Sequence, residues 1–180
     1  MKTLTLLRHA KSGWDDPVAR DFDRPLNPRG RKAAATVGAE MKARGLAFDR
    51  ILASPARRVV ETLAEVARGY GSIDPHYDER VYLAPPGALL ELVRGTPDEV
   101  GRLLVVGHNP GLEALALLLT GDDGDALRAE LAVKYPTGTV AEISLPDGSW
   151  RGVAPGTGRL VRFIRPRDLD PELGPDAEGH

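Results

Sequence analysis

The chain has 180 residues, 42% hydrophobic and 28% charged, with a net charge of -2. That is enough for one domain burying roughly two-thirds of its unfolded surface, with no general affinity for nucleic acid or anionic membranes, so an anionic ligand must be drawn by a local arginine cluster. The absence of cysteine excludes disulfides, a thiolate zinc site and cysteine-based phosphatase chemistry. The first apolar run is too short for a signal peptide and no stretch nears the ~20 residues of a membrane span; the expected location is the cytoplasm.

Leu4 to Leu7 is a short apolar run that ends in Arg8 and His9, as a buried parallel strand would. Lys11 to Pro28 is rich in Asp, Arg and Pro and predicts a loop over the carboxyl edge of a sheet. A helix follows: Asn27 can cap it, Pro28 suits its first position, Ala34, Val37, Gly38 and Met41 share a face, and Gly45 suits its end. Arg50 to Ala53 predicts a strand. A helix starting near Pro55 should bury Val59, Val60, Leu63, Ala64 and Ala67 and stop around Gly69 to Gly71.

Tyr77 to Leu83 predicts a short strand and Pro86 to Arg94 a helix with Leu89, Leu90 and Val93 inward. Leu103 to Val106 is the most apolar strand, hence central, and leads through Gly107 and His108 to Asn109-Pro110, which opens a helix over Leu112 to Leu119. Alternating strands and helices imply right-handed crossovers and a mainly parallel sheet. Val140 to Leu145, Trp150 to Val153 and Leu160 to Ile164, with a turn at Pro146-Asp147-Gly148, suggest hairpin-like strands at an edge. The fold class expected is α/β: a three-layer sandwich with a mainly parallel central sheet, helices on both faces and an antiparallel edge. Residues 166–180, rich in Pro, Gly, Asp and Glu, predict a disordered or loosely draped tail.

Open α/β sheets place their chemistry at the carboxyl ends of strands, and here three such ends carry histidine or arginine: Arg8-His9, Ser54-Pro55-Ala56-Arg57-Arg58, and His108. Neutral imidazole, with an unperturbed pKa of ~6.5, has a lone pair able to attack phosphorus near pH 7. A transferring phosphoryl group spreads negative charge over its oxygens, so arginines placed in advance are the strongest aid. Arg8 and Arg58 are the obvious clamps, and His108 can donate a further hydrogen bond.

Leu7-Arg8-His9, Ser54 to Thr62, and Val106-Gly107-His108-Asn109-Pro110-Gly111 resemble, in order, the motifs of the histidine phosphatase superfamily. Arg8-His9-Ala10-Lys11-Ser12 and the segment Asp23 to Gly30 further resemble its SixA-type phosphohistidine phosphatase branch. The likeness covers about residues 2 to 165, so that residues 1–165 are expected to form the catalytic domain. It implies a metal-independent phosphatase without cofactor in which His9 becomes phosphorylated and Arg8, Arg58 and His108 hold the phosphoryl oxygens. The family's arginine stands four residues after the serine and four before the threonine, which selects Arg58 over Arg57. Arg24 matches a further phosphate-contacting arginine of the SixA-type branch, and Glu79 resembles the acid that protonates the leaving group in mutase-branch relatives. Ala10 replaces the glycine that most of the superfamily has there.

Each of these residues also has a plainer reading. A lone histidine beside a strand is most often a satisfied polar residue; it is the combination with the spaced serine, arginine and threonine that favours catalysis. Arg57 reads as a solvated neighbour, His76 and His180 as structural and tail residues, Asp122 to Asp125 as a turn, and Lys11 and Ser12 equally well as loop or site. The expected substrate is phosphohistidine in proteins, with inorganic phosphate as product. A phosphatase or mutase for small phosphate esters, which would need Glu79 as acid, and a non-catalytic phosphate-binding module are the alternatives.

Overall fold

The structure, a computed structural model, describes residues 2–13, 20–122 and 124–174. Strand β1 (Lys2–Arg8) is followed by α1 (Pro28–Ala43), β2 (Arg50–Ala53), α2 (Arg57–Tyr70), β3 (Pro75–Tyr77), α3 (Pro86–Arg94) and β4 (Arg102–Gly107). Then come α4 (Gly111–Leu119), α5 (Ala126–Val133), β5 (Val140–Leu145), β6 (Arg159–Ile164) and α6 (Pro166–Leu169). Among the described residues the strands form one sheet in the order β3-β2-β4-β1-β5-β6. β3, β2, β4 and β1 are parallel, while β5 and β6 add an antiparallel edge.

The pleat divides the core in two. Leu4, Leu6, Leu52, Leu103 and Val105 point to one face, against α3, α4 and α5. Leu7, Ile51, Ala53, Leu104 and Val106 point to the other, against α1 and α2. This period-two alternation of apolar side chains is what a strand buried on both faces requires, and it yields the expected three layers. β1 and β4 are neighbours, yet the helices that follow them, α1 and α4, lie on opposite faces. Their carboxyl ends therefore flank a crevice, the usual place for a ligand in such sheets.

Local chemistry explains most boundaries. The Asn27 side chain accepts from Gly30 N at 2.7 Å, Pro28 occupies the first turn of α1, and Gly45 ends it with φ of 72°. Gly30 has a second role: a Cβ there would stand 2.1 Å from Lys11 O, so only glycine lets α1 approach the strand-end loop this closely.

Several elements differ from expectation. The strand expected over Tyr77 to Leu83 stops at Tyr77, because the Asp78 carboxylate accepts from Arg80 N at 2.9 Å and turns the chain into a 3-10 turn over Glu79–Val81. Trp150–Gly152 is a 3-10 turn instead of a strand. Its indole is buried and donates to Val100 O at 2.7 Å, which anchors the segment below the sheet edge. On α2 the buried stripe is Arg58, Val59, Thr62, Leu63 and Val66; Val60 and Ala64 are exposed. Helix α5, absent from the sequence reading, is capped by the Asp125 carboxylate, which accepts from Leu127 N at 2.8 Å.

The chain beyond Ile164, expected to be loosely draped, packs back on α1 as far as Gly174. Pro166 is buried, and Arg29 donates to the carbonyls of Glu172 and Gly174 at 2.5 and 2.6 Å. Lys32 pairs with Asp170 and Glu172 at 3.3 Å each. Polar composition alone missed this because the partners lie some 140 residues earlier in the chain. Residues 175–180, including His180, lie outside the described part. No helix of the described residues is long and apolar enough to cross a membrane.

Candidate active site

Register brings the two histidines together. β1 and β4 pair with Arg8 opposite Gly107, so the next residues, His9 and His108, emerge side by side at the carboxyl end. His9 N donates to Gly107 O at 3.1 Å, and the two imidazole centroids are 5.3 Å apart. β2 ends one strand over, where Ser54 N donates to Val106 O at 3.0 Å and starts the turn into α2. The first helical turn then carries Arg58 inward, to 2% side-chain exposure.

The cleft is open and about 570 Å³ in volume; Arg8, His9, Arg24, Arg58 and His108 line it together with Asp21. All the sequence candidates except Glu79 thus meet in one place. Glu79 sits exposed on its 3-10 turn and does not reach the cleft lining. Arg57 points outward and donates to Glu61 at 2.9 Å, while His76 is exposed. Lys11 and Ser12 do reach the cleft. At the lip stands Leu83, 53% exposed and with φ of 50°, a conformation that a branched side chain adopts only under constraint.

Hydrogen bonds assign the imidazole protons. His9 Nδ1–H donates to Ala10 O at 2.7 Å, which leaves Nε2 as the lone-pair nitrogen, and Arg58 Nε donates to it at 3.3 Å. Burial, with Arg8, His108 and Arg58 nearby, pushes the His9 pKa well below 6.5 against the pull of the Ala10 carbonyl. The ring is neutral at pH 7, with its lone pair available. His108 Nδ1 accepts from Arg58 Nη2 at 3.1 Å, so its Nε2–H donates to Ser54 Oγ at 2.8 Å. Burial first and Arg58 next bring its pKa to about 3.

The arginines are held from behind. Arg8 donates to Tyr135 O at 3.0 Å, and its buried Nε has no partner among the described residues. Burial lowers its pKa from the ordinary guanidinium value, yet a guanidinium stays charged in any protein. Arg58 donates to Asp21 O at 2.7 Å and Asp21 Oδ2 at 3.1 Å. Arg24 donates to Asp21 Oδ1 at 3.1 Å and to Ser12 Oγ at 2.5 Å. The Tyr82 hydroxyl donates to Asp21 Oδ2 at 2.5 Å. Burial would raise the Asp21 pKa, but Tyr82, Arg58 and Arg24 hold it down at about 2, so this carboxylate is ionised.

Asp21 and Tyr82 escaped the sequence reading. For Asp21 a signal was present, an acidic residue three positions before Arg24, the spacing of a local ion pair; for Tyr82 there was none. Thr62 is a third. Its Oγ accepts from Ala10 N at 2.9 Å and donates to Arg58 O at 2.6 Å, linking the nucleophile loop to α2.

The pattern that describes the histidine phosphatase superfamily (branch 1) matches residues 4–82. A structure named provisionally as the phosphohistidine phosphatase SixA of Agrobacterium tumefaciens is 32% identical, with a TM-score of 0.78 over 91% of this chain and 97% of that one. This chain belongs to the histidine phosphatase superfamily. Within the superfamily it falls in the SixA-type branch. A second SixA structure, from Nakamurella multipartitia and again provisionally named, is 30% identical with a TM-score of 0.80 over 92% and 96% of the two chains. An uncharacterized protein of Mycobacterium tuberculosis is 42% identical over 165 residues, 89% of this chain and all of that one. As a histidine phosphatase, the protein takes a phosphorylated substrate and releases phosphate.

Proposed function

We propose that this phosphatase hydrolyses phosphohistidine in proteins, with His9 as the nucleophile that carries the phosphoryl group in transit. The observation that supports the reading is the acid-base inventory of the cleft. Among the described residues lining it, the one carboxyl group is Asp21, held ionised at about 2, and the imidazoles of His9 and His108 are neutral. Such a cleft offers positive charge to a phosphoryl group without a carboxylic acid to protonate a leaving alkoxide, which departs poorly unprotonated. Phosphohistidine needs no such acid. Its ring takes a proton from solvent at the free nitrogen and leaves as neutral imidazole.

In the first step His9 Nε2 forms a bond to phosphorus as the substrate's P–N bond breaks, the bonding pair staying on the departing imidazole. Arg8, Arg58 and Arg24 take up the oxygen charge. Arg58 already donates to Nε2, so it moves with the incoming phosphoryl group from the nitrogen to an oxygen. His108 in its present tautomer presents an acceptor to Arg58; in the other neutral tautomer it accepts from the Ser54 hydroxyl and donates from Nδ1 to a phosphoryl oxygen. In the second step water attacks phosphorus, the His9–phosphorus bond breaks, and phosphate departs with His9 restored. Asp21 and Tyr82 act as positioning residues that aim Arg58 and Arg24.

Turnover on a panel of phosphohistidine peptide, phosphoramidate and alkyl or sugar phosphates tests the reading. The P–N substrates should exceed the alkyl esters by ~100-fold or more, the usual contribution of a missing general acid. Equal turnover of the alkyl esters would overturn it.

A further inference from the structure

We infer that a basic groove beside the cleft docks an acidic segment of the phosphorylated protein, which rests on the protein substrate proposed above. The groove lies between α1, residues 134–137, α6 and residues 173–174. Lys11, Arg29, Lys134, Arg165 and Arg167 line it, and among the described residues no carboxylate does. Lys11 and Thr137 line both the groove and the cleft, so the two adjoin. A chain whose phosphorylated side chain enters the cleft between Arg8 and Arg58 therefore has this groove within reach of its flanking residues.

The lining specifies the class of ligand. Ala33, Pro136, Pro166 and Leu173 give the groove an apolar floor under its cationic rim, a combination suited to a peptide with both acidic and apolar side chains. A second phosphate would need donors that converge. Here Arg29 is committed to the carbonyls of Glu172 and Gly174, and Arg165 to Asp168 at 3.0 Å. Arg29's partners are neutral carbonyls, so its positive charge still reaches the groove. Single-stranded nucleic acid is held by stacking on aromatic rings, and among the described residues no aromatic side chain lines this surface. The whole chain's net charge of -2 makes the groove a local attractor, which selects where an acidic partner lands.

The test separates docking from substrate identity. Two synthetic peptides carry a central phosphohistidine flanked by glutamates or by glutamines, and the double variant Lys134→Glu/Arg167→Glu is compared with wild type; neither residue lines the cleft. Wild type should prefer the glutamate peptide in kcat/KM by about tenfold at low ionic strength, the size of two exposed ion pairs. The variant should lose that preference while hydrolysing phosphoramidate at the wild-type rate. In parallel, the unphosphorylated glutamate peptide should inhibit phosphoramidate hydrolysis by wild type more strongly than by the variant, with salt abolishing the difference. No difference in inhibition, or equal inhibition by a single-stranded RNA oligonucleotide, would overturn the docking surface. Failure to turn over either phosphopeptide, with inhibition intact, would overturn the substrate reading alone.

Discussion

The two ends of the parallel sheet each bury cations, and they do so differently. At the amino end Lys2, 9% exposed, donates to Asp98 O at 3.0 Å and Val100 O at 3.3 Å and stands over the Trp150 ring at 5.2 Å. This ammonium is satisfied by carbonyls and an aromatic face, and nothing is left for a ligand. At the carboxyl end, among the described residues, Arg58 and Arg24 share one carboxylate, Arg8 Nε has no partner, and two neutral imidazoles stand among them. Burying charge is costly unless it is paired. The amino end meets that cost with protein atoms; the carboxyl end meets it in part and leaves positive potential over for a phosphoryl group. Burial of a cation therefore does not mark the site. Incomplete compensation does.

The comparison breaks most sharply at His9. His9→Ala should cut turnover on the order of 10⁴-fold or more, as loss of a nucleophile does, while circular dichroism melting stays close to wild type because the ring sits at a strand end. Retained activity in the purified variant would mean that another group attacks phosphorus.

Arg58→Ala should cost ~100-fold or more in kcat/KM, the loss of one donor to the transition state, and Arg57→Ala less than ~3-fold, since its exposed pair with Glu61 is worth under ~1 kcal/mol. Steady-state kinetics on phosphoramidate decides. A larger effect at Arg57 would place the wrong arginine in the site.

Asp21→Asn removes the carboxylate that aims two arginines and should lower kcat/KM by about tenfold or more, in line with losing hydrogen bonds to charged groups. Its pH signature is specific. The folded pKa of about 2 lies below the ordinary 3.8, so the folded state binds fewer protons than the unfolded one between those values. Stability from Asp21 is fully present above pH 4 and is lost as pH falls through 2. The difference in denaturant midpoint between wild type and Asp21→Asn should shrink over that window, and a constant difference would remove Asp21 from the network.

The smallest effect on activity is expected at the satisfied end. Lys2→Met should leave kcat/KM unchanged while lowering stability by ~1–2 kcal/mol, through two lost carbonyl bonds and a lost cation–π contact. A kinetic effect comparable to that of Asp21→Asn would mean that the two ends of the sheet are coupled.

The sequence by itself determined what depends on near neighbours. Apolar runs of strand length located β1, β2 and β4, the cap at Asn27 located α1, strand ends and motif spacing named Arg8, His9, Arg58 and His108, and the family resemblance added Arg24, all of which the fold brings to one cleft. Those signals are local because strand and helix periodicity and capping act within a few residues. Only the tertiary structure decided the rest. That Glu79 lies away from the cleft follows from the turn set by Asp78, and that residues 166–174 pack on α1 follows from Arg29 and Lys32. The clamp of Arg58 joins Asp21 to Tyr82, 61 residues apart, at a single carboxylate oxygen. Contacts between residues so far apart in the chain exist only once the sheet has set its register, so no window of the sequence contains them.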